Sequence, residues 1–310
     1  MNRDVVIPAD FKARYAKILG KENKKFLKFC KMPLRKSIRI NTLKADPDKI
    51  VERLKERGWK LQKMPWFEFG YFVKTDEEIT SSLEFFLGYI YTQEASSMLP
   101  VLALSPEKND FILDMTAAPG SKTTQMAQIM ENKGCIVAND NDIYRIKALR
   151  YNIETLGVLN TVVTRMDGVY FKNIKERFDR VLIDAPCSAE GNVRKSWNVL
   201  SRWSVNLIKH ISEIQKRLIC AGIECLKKDG VLVYSTCTLA PEENEGVIDY
   251  ALKKYDNVFV EDFGLSGFKT RPGLLEWGGM KYDDQIRNCK RIWPQDNDTQ
   301  GFFIARLRKK

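Results

Sequence analysis

Phe111-Ile112-Leu113-Asp114-Met115-Thr116-Ala117-Ala118-Pro119-Gly120-Ser121-Lys122 is the stretch whose reading decides the architecture. Phe111 to Met115 is an apolar run of strand length. The small-residue turn behind it, carrying Pro119 and Gly120, leads straight into a segment with helical spacing, Lys122 to Met130. Small side chains let a ligand approach the backbone. Open α/β sheets hold nucleotide-like ligands at such a turn, where the C-terminal end of a strand opens a helix. Strand-to-helix turns also carry glycine for steric reasons alone, so the rest of the chain decides between the two readings.

From Asp110 onward, short apolar runs alternate with helical stretches, as the βαβ units of a parallel sheet require. Seven strands are expected: Phe111 to Met115, Cys135 to Asn139, Thr161 to Arg165, Arg180 to Ala185, Val231 to Ser235, Val258 to Asp262 and Gly301 to Leu307. Helices fill the gaps, notably Lys122 to Met130, Asp142 to Leu156, Ser204 to Cys225 and Glu242 to Lys254. The fold class is therefore α/β, with a mostly parallel, Rossmann-like sheet of seven strands over residues 101–310. Residues 1–100 read differently, as Lys- and Arg-studded helical stretches followed by a mixed segment rich in aromatics, a small α+β unit of its own. Within it Ser37 to Thr42 alternates like a strand, and Pro47 to Arg57 has helical spacing at Ile50, Val51 and Leu54 until Gly58 stops it. No repeat or low-complexity linker interrupts the chain.

The 51 Lys and Arg against 40 Asp and Glu give a net charge of +11, which favours a polyanionic partner, nucleic acid first, although a charge excess is often only a solvated face. Seven cysteines, Cys30, Cys135, Cys187, Cys220, Cys225, Cys237 and Cys289, form no CxxC pair, so neither a zinc ribbon nor a disulfide framework is indicated, and free thiols in a reducing cytosol are expected. The one histidine, His210, falls in a helical stretch and reads as structural, so no metal is expected. Nowhere does the chain approach the run of about 20 apolar residues that a membrane span needs.

Three carboxylates fall at successive strand ends: Asp140 after the second strand, where a ribose commonly bonds, Asp167 after the third and Asp184 at the end of the fourth. Any one of them could be a turn former or a helix cap; three facing one crevice are harder to dismiss. Asp184-Ala185-Pro186-Cys187-Ser188 and Ser235-Thr236-Cys237-Thr238 bring two cysteines to the same sheet edge, whereas the other five read as buried structural thiols. A thiolate beside a methyl-donor pocket suggests one chemistry. Cytosine carbon 5 is too electron-poor to take a sulfonium methyl directly, but thiolate addition at carbon 6 makes an enamine whose carbon 5 is nucleophilic. Asp184 is placed to assist at N3 if it carries a proton.

These motifs resemble the NOL1/NOP2/Sun family of RNA cytosine-5 methyltransferases over nearly the whole chain. The family's cofactor loop corresponds to Leu113 to Thr123, Asp-Ala-Pro-Cys-Ser is intact at Asp184 to Ser188, and Tyr234 to Thr238 with Pro241-Glu242-Glu243-Asn244-Glu245 matches the nucleophile segment. Tyr91 to Ser96 and Arg39 to Lys44 match its N-terminal motifs. The resemblance implies a class I methyltransferase domain with an RRM-like RNA-contacting region before it, and S-adenosylmethionine as methyl donor. It implies Cys237 as nucleophile, Cys187 as the thiol that assists release, and Thr116, Ala117, Ala118, Pro119, Gly120, Ser121, Lys122, Asp140, Asp167 and Asp184 as cofactor contacts. Thr116 replaces the usual Cys, Ser121 a Gly, and Gln300 an Asp before Gly301-Phe302-Phe303; the last puts a target-side contact in doubt. The chain is most like short archaeal-type members, so transfer RNA is the expected substrate with ribosomal RNA the alternative, and a cytoplasmic monomer is expected.

An adenine amino-methyltransferase would want Asn/Asp-Pro-Pro-aromatic after strand four, where this chain has Pro186-Cys187; a silent RNA-binding factor would not need both cysteines. Arg39 and Lys44 are expected to touch RNA. Trp59, Trp66, Phe67, Phe69 and Tyr71 could stack on bases, but are expected mostly to fill the small unit's core.

Overall fold

Four short strands come first in the computed structural model, which describes residues 7–310. They are β1 (Lys36–Ile40), β2 (Lys60–Met64), β3 (Phe67–Lys74) and β4 (Ile90–Thr92), joined antiparallel in the order β2-β3-β1-β4. The helix Pro47–Glu56 begins where Asp46 accepts the amides of Asp48 and Lys49, and Gly58 at φ +83° lets the chain turn away from it. Its apolar side sends Ile50 and Leu54 against Ile38, Ile40, Trp59, Val73 and Ile90. Of the aromatics, Trp59 joins this core and Tyr71 packs against it, Phe67 is buried in a second cluster with Met64, Phe72 and Met98, and Trp66, half-buried, packs edge-on against Phe72 and Phe268. The two leading helices, Ala9–Leu19 and Asn23–Lys31, do not join this sheet. They bury Phe11, Tyr15 and Phe26 against Val193, Leu200, Leu239 and Trp293 of the second half.

All seven expected strands form in that second half, as β5 (Phe111–Asp114), β6 (Cys135–Asp140), β7 (Thr161–Arg165), β8 (Phe178–Asp184), β9 (Leu226–Thr236), β10 (Val258–Glu261) and, last in the chain, β15 (Phe302–Lys309). The sheet is larger than expected because β11 (Arg271–Pro272) and β14 (Lys290–Ile292) extend it; β12 (Glu276–Trp277) and β13 (Met280–Lys281) make a separate ribbon. The nine strands run β11-β14-β15-β9-β8-β5-β6-β7, with β10 also paired to β15. Strands β5 to β9 are parallel, and β15 lies antiparallel between β9 and the β10 and β14 edge. Successive β8 residues face opposite ways: Val181 and Ile183 meet the helices Val205–Cys225 and Glu245–Lys254, while Leu182 meets the side covered by Leu99–Leu104, Ser121–Ile129 and Ile143–Thr155. Because β6 and β8 flank β5 on opposite sides, the loops after β5 and β8 part there and open a crevice.

Arg39 corrects one expectation. It is 0% exposed and cannot meet RNA. Its guanidinium donates to Gln93 Oε1 at 2.9 Å, to Thr124 Oγ1 at 2.8 Å and to Gln128 Oε1, joining β1 to the helix Ser121–Ile129. Burial without a carboxylate partner pushes it down to about 10. Lys44 is exposed, yet its ammonium is held between Leu87 O at 2.6 Å and Thr155 O at 3.1 Å, a strut between the two sheets.

Candidate active site

The turn after β5 is shaped by backbone rather than by side chains. Gly120 sits at φ +103°, and a Cβ there would lie 2.8 Å from Leu149 Cδ1, so only glycine fits. Ala117 N–H donates to Asn139 O at 2.7 Å and Ala118 N–H to Asp140 Oδ2 at 3.2 Å, tying the turn to the end of β6. Asp140 also accepts the Asp142 amide at 3.1 Å and pairs with Arg145 at 3.2 Å. Asp167 caps the next turn through Val169 N–H at 3.0 Å. Asp184 is held at both oxygens, by Lys122 Nζ at 2.6 Å and Ser235 Oγ at 2.9 Å, while Thr116 Oγ1 donates to its backbone carbonyl at 2.9 Å.

Asp140, Asp167 and Asp184 line one cavity of about 420 Å³, together with apolar Met115, Val169 and Leu218 and both Cys187 and Cys237. Of the seven expected loop contacts, Thr116 lines it; Ala117, Ala118, Pro119, Gly120 and Ser121 form the turn behind, and Lys122 reaches it through Asp184. Ile214, Arg217 and Leu218 from the helix Val205–Cys225 complete the wall, and the sequence reading missed them. Their only signal is amphipathic spacing, which does not distinguish a core face from a cavity face.

The two cysteines meet: Cys187 Sγ and Cys237 Sγ lie 3.1 Å apart as free thiols, and Asn192 Nδ2 is 3.1 Å from Cys237 Sγ. The hydrogen bond to Cys237, then burial, then nearby negative charge push the Cys187 thiol well above its ordinary value, so it keeps its proton. Cys30, Cys220, Cys225 and Cys289 are buried elsewhere, Cys135 is half-buried on β6, and His210 is exposed on its helix.

Beneath the thiols lies a buried polar network that the sequence offered only as a motif. Glu243 accepts Ser188 N–H at 2.9 Å and Gln215 Nε2 at 2.9 Å, and also takes the Ser188 hydroxyl. Burial raises its carboxyl to about 7. Ser188 Oγ lies 2.8 Å from Thr238 Oγ1, which donates to Glu190 at 3.0 Å; Trp203 Nε1 at 2.6 Å and the Tyr15 hydroxyl also donate to Glu190. Asn244 Nδ2 donates to Thr238 O at 3.1 Å, and Glu245 pairs with Arg291 at 2.6 Å. The residues after Cys187 and after Cys237 are thus joined to each other and to the first helix. Gln300 is buried, its backbone N–H donating to Glu94 Oε1 at 3.0 Å.

Residues 101–308 match the family described as 16S rRNA methyltransferase RsmB/F, and residues 7–95 match the N-terminal domain of 16S rRNA methyltransferase RsmF. The chain belongs to the RsmB/F family. It is therefore an S-adenosylmethionine-dependent RNA cytosine-5 methyltransferase, as its motifs led us to expect. The tRNA (cytosine(49)-C(5))-methyltransferase of Pyrococcus abyssi is 47% identical over 96% of this chain and 94% of its own length. Ribosomal RNA small subunit methyltransferase F of Vibrio cholerae is 42% identical over the whole chain, which spans 65% of that protein. Among solved structures, a methyltransferase homolog from Pyrococcus horikoshii superposes with a TM-score of 0.88 at 36% identity, covering 99% of this chain and 96% of the other. NSun6 from the same organism, with SFG, gives 0.85 at 28% identity, covering 98% and 99%.

The RsmB/F cavity suits a nucleoside-bearing methyl donor. It has the volume for one, carboxylates that can accept from hydroxyl and amino groups, and apolar walls for a flat ring. Among the described residues no helix is long and apolar enough to cross a membrane.

Proposed function

We propose that this RsmB/F enzyme methylates carbon 5 of a cytosine in transfer RNA, with Cys237 as the attacking thiolate and Cys187 as its partner in release. One observation carries the reading: two thiols in contact line the same cavity as three strand-end carboxylates. Asp140 and Asp167 would hold the donor's hydroxyl and amino groups, with Thr116 and the turn up to Lys122 as the floor. When bound, S-adenosylmethionine supplies the methyl group as an electrophilic carbon.

Cys237 Sγ forms a bond to cytosine carbon 6, and the displaced electron pair moves toward N3, the atom that the Asp184 and Lys122 pair would face. Carbon 5 then carries the electron density it lacked and takes the methyl. Loss of the carbon-5 proton to a base reforms the ring double bond as the carbon–sulfur bond breaks and the electron pair returns to Cys237. Cys187 keeps its proton and lies 3.1 Å from that sulfur, so it is placed to hydrogen-bond the departing thiolate.

Transfer RNA is favoured because the relative matched nearly end to end is a transfer RNA enzyme, whereas the Vibrio relatives extend well beyond the matched length. We place it in the cytoplasm as a monomer; its seven free thiols fit a reducing compartment.

Labelled methyl donor, transfer RNA and 16S ribosomal RNA transcripts, and two variants test the reading. Cys237→Ala should transfer nothing and form no adduct, whereas Cys187→Ala should accumulate RNA joined to protein as a slow band on a denaturing gel. Trapping by the Cys237 variant instead would reverse the two roles. Full activity in both would remove the covalent mechanism, and label in ribosomal RNA alone would replace the substrate.

A further inference from the structure

The structure assigns Asn192 as a catalytic residue: its side-chain amide donates a hydrogen bond to Cys237 Sγ and favours the charged, attacking form of that sulfur. This rests on Cys237 being the nucleophile. A cysteine nucleophile is ordinarily activated by a histidine, a lysine or arginine, or a helix N-terminus. Among the described residues Cys237 Sγ has two hydrogen-bond partners, Cys187 Sγ and Asn192 Nδ2, each at 3.1 Å. Neither partner is a cation, and the one histidine, His210, is exposed and is not among them. The amide of Asn192 is therefore one of two neutral donors at the reacting atom, beside the Cys187 thiol, and each donor to the charged form stabilises that form.

The backbone around Asn192 is built to hold it there. Ala189 stands in the left-handed region at φ +60°, which turns the chain back toward β9. Glu190 is anchored by its buried carboxylate to Thr238 Oγ1 at 3.0 Å and Leu239 N–H at 3.3 Å, both just past Cys237. Gly191 N–H donates to the carbonyl of Cys237 itself at 2.9 Å, and Gly191 O accepts Gly301 N–H at 3.2 Å. A Cβ at 191 would lie 2.0 Å from Gly301 O. Residue 192 thus inherits its position from bonds to the nucleophile's own backbone, and its side chain is left free to serve the sulfur. The titratable groups around the pair are Cys187 in contact, Asp184 with Lys122, Arg217 along the cavity, and Glu190 and Glu243 beneath. A substitution at 192 leaves all of them in place.

The test is the pH dependence of Cys237 alkylation by iodoacetamide in the full-length chain, read by mass spectrometry of tryptic peptides. Cleavage after Arg180, Arg194, Lys228 and Lys253 puts Cys187 and Cys237 on separate peptides, so each is followed alone. Asn192→Leu keeps the size and loses the donor; Asn192→Asp keeps the shape and sets a negative charge against the sulfur. In Asn192→Leu the midpoint of the Cys237 profile should rise by about one pH unit, the size expected of a charge-assisted hydrogen bond, and further in Asn192→Asp. Methyl transfer at neutral pH should fall about tenfold in Asn192→Leu and recover as pH rises, with binding of S-adenosylmethionine and the unfolding midpoint unchanged. Loss of activity with an unmoved alkylation profile would make Asn192 a merely structural turn residue, and unchanged activity with an unmoved profile would leave it no role; either overturns the assignment. Retained activity in Cys237→Ala would instead remove the nucleophile reading, independently of either Asn192 variant.

Discussion

Arg39→Ala should destabilise the fold by about 3–5 kcal/mol and leave the electrostatics of RNA binding untouched. The native guanidinium is completely buried and donates to Gln93 Oε1, Thr124 Oγ1 and Gln128 Oε1. The amide nitrogens of both glutamines are already engaged, with Gln125 Oε1 at 2.7 Å and Ile40 O at 3.1 Å, so neither side chain can rotate to recover a partner without losing one. Truncation strands two amide oxygens, at roughly 1–2 kcal/mol each, and removes a cation 5.6 Å from the Tyr91 ring, worth about 1 kcal/mol more. These sum to the stated range, and release of a buried charge is offset by the packing lost with the side chain. Arg39→Met refills the space without the donors and should lose somewhat less. Urea unfolding gives the stability, and filter binding of RNA between low and moderate salt gives the second readout. A residue in contact with phosphate contributes roughly 0.7–0.9 to the log-log salt slope, so losing one would flatten the slope by that amount. An Arg39→Ala protein of native stability with a flattened slope would refute the buried-strut assignment.

Glu243 makes the fold lose stability as pH rises. Its carboxyl is raised to about 7 in the folded chain against an ordinary 4.5, so the folded state holds the extra proton between those values. About 3 kcal/mol is lost across that window, and Glu243→Gln, which mimics the protonated form toward Ser188 and Gln215, should remove that part of the decline in urea midpoints from pH 5 to 8. A slope identical to native would show the carboxyl ionised throughout. Gly191→Ala would set a methyl group 2.0 Å from Gly301 O and 2.8 Å from Cys237 O, so the backbone of the proposed nucleophile must move; methyl transfer should fall by about 100-fold, and near-native turnover would disprove the close approach.

Most of the catalytic sheet was legible because buried parallel strands are continuous apolar runs, and β5 to β8 are short, regular and followed by caps such as Asp142 and Asp167. The extra edge was not. β14 pairs only through Lys290, Arg291 and Ile292, a length and composition that carry no periodic signal until β15 is beside it. β9 also starts five residues earlier than its apolar run, because Leu226 pairs with Phe178 across a register shift and the polar Lys227, Lys228 and Asp229 separate it from Val231. Both cysteines and the strand-end carboxylates could be placed from sequence, since the topology delivers strand ends to one edge whatever lies between. Glu190, Gln215 and Asn192 could not, because their partners lie from 13 to 175 residues away and nothing local marks them.

Arg39 fails as a sequence inference for a different physical reason, and that reason bears on how the two sheets work together. The alternation of Ser37 to Asn41 identifies a polar face on β1, and a polar strand face ordinarily meets water. Here Ser37, Arg39 and Asn41 are all buried, because the surface opposite them is polar as well: Thr124, Gln125 and Gln128 lie on a helix with no exposed flank. Each side therefore looked solvent-facing in isolation. An interface of this kind aligns its parts through directional bonds, Arg39 to Gln128 and Thr124, Asn41 Nδ2 to Leu156 O at 2.8 Å and Lys44 to Thr155 O, whereas an apolar seam would tolerate sliding. The helix on the far side of that seam begins at the cofactor turn, at Ser121 and Lys122. The N-terminal sheet is thus bonded to the element that carries Lys122 onto Asp184, and a substitution that loosens the seam should weaken methyl-donor binding at the proposed cavity before it changes the salt dependence of RNA binding.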